Sequence, residues 1–290
     1  MSELRLKAVE IVEKIDRKTF QEEFLKLGKP VVMKDYSKDW SAREKWSFDY
    51  FKSTHADLMV PVYKEAFANS GTRYTSTDNK MRFADYLDEI ATKPSQLRMF
   101  LFNIFKHIPD LCHDFNYPDI IDRYLTKYPF MFFGGATSWV DVHYDLDLSH
   151  VFITQFHGKK RIVLFPPKCS AYLYQHPLTV SCNVDIAHPD FERYPRLAET
   201  EGYECTISNG ETLFMPSGYW HYIYYVEGGF ALSLRARPDS VLRRMHSLVK
   251  IFNLAVVDQN ITRVLGAKRW YEMKEKIAIR RAQRLPTCAI

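Results

Sequence analysis

Two short stretches of the chain contain residues that could bind a metal ion. The first is His143-Tyr144-Asp145, and the second ends at His221. Residues i and i+2 of a strand point to the same face, so His143 and Asp145 could share one ion if this stretch is extended. Two histidines and one carboxylate can occupy one face of a divalent iron and leave its other positions open, as in non-haem iron oxygenases. The sequence therefore predicts a metal site formed by His143, Asp145 and His221.

The segment before His221 has the glycine and proline spacing of strands joined by tight turns. Asn209-Gly210 is typical of a tight turn and predicts a hairpin. Thr212–Met215 is a short apolar run that the next residue, a proline, would end, since proline has no amide proton to donate. Ser217-Gly218 predicts a second turn, and the aromatic residues after His221 predict another strand. His221 is thus expected at the mouth of a barrel.

These motifs resemble a known family. The stretch from Gly210 through Pro216 and Gly218 to His221 resembles the second cupin motif. His143-Tyr144-Asp145 is similar to the first metal pair of the jumonji C branch, which contains iron and 2-oxoglutarate dependent protein hydroxylases similar to the asparaginyl hydroxylase of the hypoxia response. The resemblance implies a mainly β fold with helical additions, built on a double-stranded β-helix, the cupin or jelly-roll barrel.

The same resemblance implies a function. Iron(II) would be the metal, held by the two histidines and the aspartate, and 2-oxoglutarate would be the co-substrate. The expected reaction is hydroxylation of a protein side chain or another macromolecular substrate, coupled to conversion of 2-oxoglutarate to succinate and carbon dioxide. Two alternatives remain open: a metal-binding cupin with other chemistry, and a non-catalytic binding module on a jumonji-like scaffold.

A third stretch, from Gln155 to Pro167, is similar to the segment in which this family places its co-substrate lysine. By that match the lysine is Lys160. Gly158-Lys159 predicts a turn before a strand over residues 160–165, and both faces of that strand are mostly apolar. Alternation therefore leaves two orientations open. Lys160 points inward to the distal carboxylate of 2-oxoglutarate, or it extends to solvent at the strand end.

The spacing after the metal pair departs from the family pattern by two additional residues. Counting back from Gly158 selects Asp147 as the metal aspartate, whereas keeping the histidine in register selects Asp145. We prefer Asp145, because a ligand pair needs His143. Asp147 and His150 remain candidates for an alternative ligand or for a partner of a ligand.

The last strand of the predicted barrel shows a second departure. Arg235 stands where the family often has an amide side chain. Ser233 and Arg235 share one face of this strand. That face either lines the co-substrate pocket, where a guanidinium could bind a carboxylate with two hydrogen bonds, or it faces water. Both residues are therefore candidate co-substrate ligands.

Composition limits the class of protein. With 46% hydrophobic and 15% aromatic residues, the chain can bury a large core and is not disordered. A net charge of +5 does not by itself indicate nucleic acid. Five cysteines without a C-x-x-C pair are typical of reduced thiols. No stretch resembles a signal peptide or a membrane span, so a cytoplasmic protein without membrane association is expected.

Three regions follow along the chain. Residues 1–130 are predicted as an N-terminal region, mostly helices and loops, that is integrated with the barrel. This region includes a helix over 20–27 and a strand over 31–33. Residues 131–238, with short strands separated by turns, form the jumonji C barrel core. Residues 239–290 form a C-terminal helical region.

The C-terminal region carries two possible contact surfaces. Its first helix has an apolar stripe that packs either on the barrel or on the same stripe of a second subunit, as terminal helices do in some related hydroxylases, which implies a homodimer. Its last helix is basic and forms either a solvated face or a phosphate-binding patch for an RNA-associated substrate. The residues of that patch would be Lys268, Arg269, Lys274, Lys276, Arg280, Arg281 and Arg284.

Overall fold

A computed structural model describes residues 3–64, 79–100, 102–238 and 240–285. Cys288 of the five predicted thiols lies outside these ranges, and the other four cysteines are free thiols. The strands of the described chain are β1 (Arg5–Ala8), β2 (Glu10–Val12), β3 (Val31–Met33), β4 (Met59–Pro61), β5 (Lys80–Arg82), β6 (Arg98–Met99), β7 (Phe130–Gly134), β8 (Trp139–His143), β9 (His150–His157), β10 (Lys160–Phe165), β11 (Glu201–Ile207), β12 (Thr212–Met215), β13 (Trp220–Tyr225) and β14 (Gly229–Ala236).

Twelve of these described strands form two sheets. One sheet has the order β1-β11-β10-β13-β8, and the other has the order β2-β3-β12-β9-β14-β7-β6. The pairs β1–β11 and β2–β3 are parallel, and the other neighbours are antiparallel. Strands β7 to β14 contribute four strands to each sheet. This is the arrangement of a double-stranded β-helix, and the predicted fold class is confirmed.

Helices flank the barrel at both ends of the chain. A short α-helix continues into a π-helical segment at Phe20–Leu25, where the sequence predicted a helix over 20–27. The α-helices are α1 (Arg17–Thr19), α2 (Ala42–Lys45), α3 (Phe48–His55), α4 (Phe83–Thr92), α5 (Val241–Phe252), α6 (Gln259–Leu265) and α7 (Ala267–Gln283). No helix in the described ranges combines the length and the apolar character that crossing a membrane requires.

One sequence-based expectation about the strands was wrong. The turn at Asn209-Gly210 forms, with Gly210 at φ +83°, but it connects β11 and β12, which lie in opposite sheets and do not form a hairpin. A turn motif determines a local chain reversal, whereas the pairing partner depends on which faces are buried. The region before residue 130 supplies four short strands, β1, β2, β3 and β6, to the two sheets, and only β3 was located from the sequence. Strands of two to four residues are too short to show alternation.

The core has three apolar layers, which explains why strands such as β10 are apolar on both faces. Ile162 and Leu164 point into the barrel interior, whereas Val163 and Phe165 point to its outer side. The outer face of the seven-stranded sheet packs on the N-terminal helices. The outer face of the five-stranded sheet is covered by residues 167–199 and by α7. Sheets covered on both faces lose the alternation between apolar and polar residues.

Gly158 forms the turn between β9 and β10 and so sets the position of the strand that begins with Lys160. Its φ is +72°, and a Cβ atom would lie 2.4 Å from the Gly228 carbonyl oxygen. Gly28 also has a positive φ, of +61°, but a Cβ atom there would have no neighbour within 4 Å. A comparison of alanine substitutions at the two glycines therefore distinguishes the cost of a positive φ from the cost of steric overlap.

We expect Gly158→Ala to destabilise the protein more than Gly28→Ala. Both substitutions place a side chain in the left-handed region, which costs about 1–2 kcal/mol. Gly158→Ala adds an overlap with backbone that costs about 1–3 kcal/mol more. Urea unfolding of both variants and the wild type measures the difference in free energy of unfolding. Equal losses in the two variants would contradict the close approach of the Gly158 and Gly228 segments.

Candidate metal centre

His143 and His221 lie opposite each other on two neighbouring strands. His143 ends β8, His221 is the second residue of β13, and the two are direct partners in the antiparallel register. A register shift follows His221, and such irregularities often redirect a side chain next to a site. The two ring centroids are 4.3 Å apart. The pairing of β8 with β13 therefore brings together two residues that are distant in sequence.

Backbone carbonyls determine the protonation pattern of both imidazole rings. His143 Nδ1 lies 2.8 Å from the Asp141 carbonyl oxygen, and His221 Nδ1 lies 3.2 Å from the Tyr219 carbonyl oxygen. A carbonyl oxygen can only accept, so each Nδ1 carries the proton and donates it. The lone pair of each ring is then on Nε2, the atom that a metal ion would bind. Such outer contacts commonly orient metal-binding histidines.

Asp145 completes the cluster from a loop rather than from a strand. His143 and Asp145 were expected at positions i and i+2 of one strand. That expectation was wrong, because β8 ends at His143. Ligand atoms of His143, Asp145 and His221 nevertheless all lie within 4.8 Å of one another. Two bonds of about 2.0–2.2 Å to one ion place ligand atoms up to about 4.4 Å apart. The cluster thus needs only a small adjustment to hold one ion.

The structure does not bring Asp147 or His150 into this cluster. Asp147 accepts hydrogen bonds from the Ser149 hydroxyl, at 3.0 Å, and from the Ser149 backbone N–H, at 3.3 Å. His150 is buried, and its Nδ1 accepts a hydrogen bond from the Ser217 backbone N–H at 3.1 Å. The Ser217 hydroxyl donates to the Leu148 carbonyl oxygen at 2.5 Å. The two additional residues are therefore accommodated in a loop attached to the turn before β13.

The electrostatic surroundings favour the protonation states that bind a metal. Burial, and then the nearby His221, lowers the pKa of His143 to about 3, and burial also lowers the pKa of His221. For Asp145, burial would raise the pKa, but Arg235 and then the two histidines together hold that pKa below its ordinary value. Two neutral imidazoles and one carboxylate are therefore present at neutral pH.

Ser233 and Arg235 point into the barrel and not to water. They share a face of β14 with Ala231, which belongs to the barrel interior. Arg235 Nη2 lies 3.3 Å from Asp145 Oδ2, and Arg235 Nη1 lies 3.1 Å from Asp147 Oδ1. Ser233 is fully buried, and its hydroxyl has no hydrogen-bond partner among the described residues. Two orientations of this face were predicted, into the pocket or toward water, and the structure has the inward one.

Lys160 also points inward. Its side chain is 2% exposed, and its ammonium lies 4.6 Å from the centre of the Tyr225 ring. The next residue, Arg161, points outward and pairs with Glu204 at 2.6 Å. Burial lowers the pKa of Lys160 to about 7, and no acidic residue of the described chain counters that shift. The barrel therefore contains a buried amine without a carboxylate partner among these residues, and a bound anion would favour its charged form.

One cavity of about 700 Å³ contains all six candidate residues. His143, Asp145, His221, Lys160, Ser233 and Arg235 all line it. Its wall also includes Arg98, which is 3% exposed and which sequence reasoning missed. Arg98 lies on a strand of two residues, where no periodicity or motif could have indicated it. The six candidate residues come from four strands and one loop, and the cavity joins them.

The outer part of the cavity is lined by the C-terminal helices. There Trp270 Nε1 donates to Asp258 at 2.7 Å, and Lys274 Nζ lies 3.2 Å from the same carboxylate oxygen. Lys274 is only 7% exposed, so its place in a solvent-facing basic patch was wrong. In a helix with many basic residues, the sequence does not show which side chain is buried and which is exposed. Only packing shows which of them is turned inward to a buried carboxylate.

The buried histidines predict a pH dependence of stability in the metal-free protein. The unfolded state binds protons first as pH falls below about 6.5, the ordinary histidine pKa, because the pKa of folded His143 is about 3. The free energy of unfolding should therefore fall between these values, by at most about 1.4 kcal/mol per pH unit for this residue. His143→Asn should weaken that dependence, measured by urea unfolding with EDTA at pH 7 and pH 5. The exposed His113 serves as control: His113→Asn should keep the wild-type slope, and an unchanged slope in His143→Asn would contradict the burial of a neutral imidazole.

Comparisons with known proteins agree with this geometry. A family model described as a cupin-like domain matches residues 17–276. Lysine-specific demethylase JMJ30 of Arabidopsis thaliana is 28% identical over 233 residues, which cover 76% of this chain and 52% of that protein. Jumonji C domain-containing protein 5 of Drosophila melanogaster is 26% identical over 232 residues, which cover 74% of this chain and 56% of that protein.

A further relative has another named role. The tRNA wybutosine-synthesizing protein 5 of Gallus gallus is 26% identical over 241 residues, which cover 76% of this chain and 74% of that protein. The chain spans about half the length of the demethylase and of the jumonji C protein above. Because the family model covers most of its residues and its relatives include jumonji C proteins, the chain belongs to the cupin-like, jumonji C family of 2-oxoglutarate oxygenases.

Proposed function

We propose that this chain is an iron(II) and 2-oxoglutarate dependent oxygenase that hydroxylates a protein side chain or another macromolecular substrate. The observation that carries the proposal is the buried ammonium of Lys160, which lines the same cavity as His143, Asp145 and His221. A metal-binding cupin of other chemistry has no need for a buried cation without a protein carboxylate. A dicarboxylate that reaches from the metal to Lys160 gives that cation its counter-charge.

The residues present fit the metal and the co-substrate. His143, Asp145 and His221 offer two imidazole nitrogens and one carboxylate oxygen, the donor set of non-haem iron(II) oxygenases. When bound, iron and 2-oxoglutarate supply the chemistry that couples dioxygen to insertion of an oxygen atom into a substrate C–H bond, with succinate and carbon dioxide as products. The protein contributes position, charge and exclusion of water.

Three side chains are available for the co-substrate. Lys160 pairs with the distal carboxylate, and the unpartnered hydroxyl of Ser233 donates to an oxygen of the same molecule. Both Nη atoms of Arg235 already face Asp145 and Asp147. Its part in binding is therefore reduced to Nε–H, which is buried and has no hydrogen-bond partner in the part of the chain that the structure describes. Binding satisfies these donors, whose burial without a partner costs about 1–3 kcal/mol each.

An anaerobic titration of the protein with iron(II) and 2-oxoglutarate tests the proposal through the visible charge-transfer band of the chelate. Wild type should show the band, and His221→Ala should lose it because one metal ligand is gone. Lys160→Met, which keeps the buried volume, should need about 10- to 100-fold more 2-oxoglutarate, the equivalent of one charged hydrogen bond.

The neighbouring Lys159 is the matched control. It is exposed and pairs with Glu227 at 2.7 Å, so Lys159→Met should titrate like wild type. A wild type that binds iron but shows no band would refute the use of 2-oxoglutarate and favour another cupin chemistry. A protein that binds no iron would favour a non-catalytic binding module.

The substrate class rests on the outer cavity and the last helix. The relatives of this chain include a protein named as a lysine-specific demethylase and one named for tRNA wybutosine synthesis. Protein and RNA-associated substrates therefore both fit the family. Without Lys274, the proposed patch keeps six exposed basic residues, five on α7 and one directly after it: Lys268, Arg269, Lys276, Arg280, Arg281 and Arg284. We propose them as the contact surface for a phosphate-bearing partner.

The cytoplasmic location stays a prediction from the cysteine content.

A homodimer through the C-terminal helices is the second proposed partnership. Four apolar side chains of α5 are exposed: Leu242 is 77% exposed, Met245 59%, Val249 55% and Phe252 57%. Their spacing of three and four residues is that of a helix seam that pairs with another helix. The same seam on a second copy is self-complementary, as a twofold interface requires.

We expect the protein to be a dimer in sedimentation velocity at micromolar concentration. Val249→Glu with Phe252→Glu should give a monomer, because two charges would be buried in the seam. Val264→Glu is the control, since Val264 is 82% exposed on α6 and lies outside the seam. A wild-type monomer at all concentrations would refute the dimer.

A further inference from the structure

The carboxylate of Asp145 lacks the backbone support that the two histidines have. His143 and His221 both lie on paired strands, whereas Asp145 lies beyond the end of β8. The loop after it contains Leu148, a non-glycine residue with φ +51°. The next regular element along the chain, β9, does not begin until His150. Something other than strand pairing must therefore orient the Asp145 side chain.

Arg235 supplies a fixed point for that side chain. Its guanidinium spans two carboxylates, with Nη2 3.3 Å from Asp145 Oδ2 and Nη1 3.1 Å from Asp147 Oδ1. Nη1 also lies 3.3 Å from the Ser149 hydroxyl, which itself donates to Asp147 Oδ1 at 3.0 Å. The guanidinium carbon lies 6.0 Å from the centre of the Phe130 ring. We call Arg235, Asp147 and Ser149 together the arginine brace.

The brace is held on a rigid strand. Arg235 lies on β14, in the middle of the seven-stranded sheet and paired with β9 on one side, where its partner is Val151. Its side chain is 15% exposed, compared with 39% for Asp147 and 19% for Asp145. Asp147 balances the guanidinium charge, so the net charge presented to a metal ion remains close to that of the three ligands alone. A lone arginine beside the cluster would instead repel a divalent cation.

We propose that Arg235 is a positioning residue for the metal site, which occupies one oxygen of Asp145 and so presents the other to the ion. The proposal rests on the metal-binding part of the proposed function and adds a role for Asp147 and Ser149, which compete for no metal position but hold the guanidinium in place.

Arg235→Lys tests positioning separately from charge. A lysine keeps the positive charge but is a single point donor that cannot bridge two carboxylates. With the apoprotein and cobalt(II) alone, we expect Arg235→Lys to weaken metal binding by about 10- to 100-fold, the usual effect of losing a residue that orients a ligand. The cobalt absorption bands should also change in position or intensity, because they report the arrangement of the ligands.

Arg161→Lys is the matched control. Arg161 pairs with Glu204 at 2.6 Å on the outer side of the same barrel, so the same substitution there should leave cobalt affinity and spectrum unchanged. Asp147→Asn is the second variant. It removes the charge that balances Arg235 without altering Asp145, and it should also weaken cobalt binding, because the guanidinium charge is no longer balanced. This variant decides the case if Arg235→Lys does not fold.

The outcomes distinguish this proposal from the proposed function. Wild-type cobalt affinity and spectrum in Arg235→Lys, or in Asp147→Asn where the first variant does not fold, would overturn the brace. A wild type that binds cobalt, loses it in His221→Ala and yet shows no chelate band with iron(II) and 2-oxoglutarate would refute the oxygenase but leave the brace intact. A wild type that binds no cobalt would overturn both.

Discussion

The antiparallel pairing of β8 with β13 is the contact on which the rest of the site depends. It places His143 opposite His221, so two imidazoles that are far apart in the chain share one face of one sheet. Directly opposite residues in such a pair are about 4.5–5.5 Å apart, close enough for both rings to reach a single ion. A slip of one residue would turn one ring to the other face of the sheet. The apolar residues of both strands and the turn before β13 hold this register. Ser217 of that turn donates hydrogen bonds to His150 and to the loop after β8.

Charge compensation explains the rest of the cavity. The barrel interior is apolar, so each charged group within it must find a counter-charge or a hydrogen bond. Asp145 and Asp147 share Arg235, and Asp258 binds Trp270 and Lys274 at the outer end. Lys160 is different, because within the described chain its partner is the face of Tyr225 rather than a carboxylate. Among the described residues Lys160 thus has no carboxylate partner and the Ser233 hydroxyl has no hydrogen-bond partner, and these two groups indicate where an anionic molecule would bind.

The layers outside the barrel cover the outer faces of both sheets. N-terminal helices cover one sheet, and residues 167–199 with α7 cover the other. Both faces of the central strands are therefore buried, and side chains can point inward without exposing the sheet on the other side. The C-terminal helices have a double role. They close the outer part of the cavity through Trp270 and Lys274, while α5 presents an apolar seam to the outside.

The sequence by itself determined the family, the barrel and the two stretches that contain the metal cluster, because glycine, proline and histidine positions act locally. It also predicted the turns at Gly158 and Gly210. The orientation of Lys160 depended on the tertiary structure, because a strand that is apolar on both faces has no alternation to read. For Arg235 the sequence showed the face but not whether that face points inward or to water. The same limit applied to Arg98, which lies on a strand of two residues, and to Lys274, which lies on a basic helix. The choice of Asp145 over Asp147 for the cluster likewise needed the folded loop. Sequence spacing cannot show which carboxylate reaches two histidines and which one binds an arginine from a strand far along the chain.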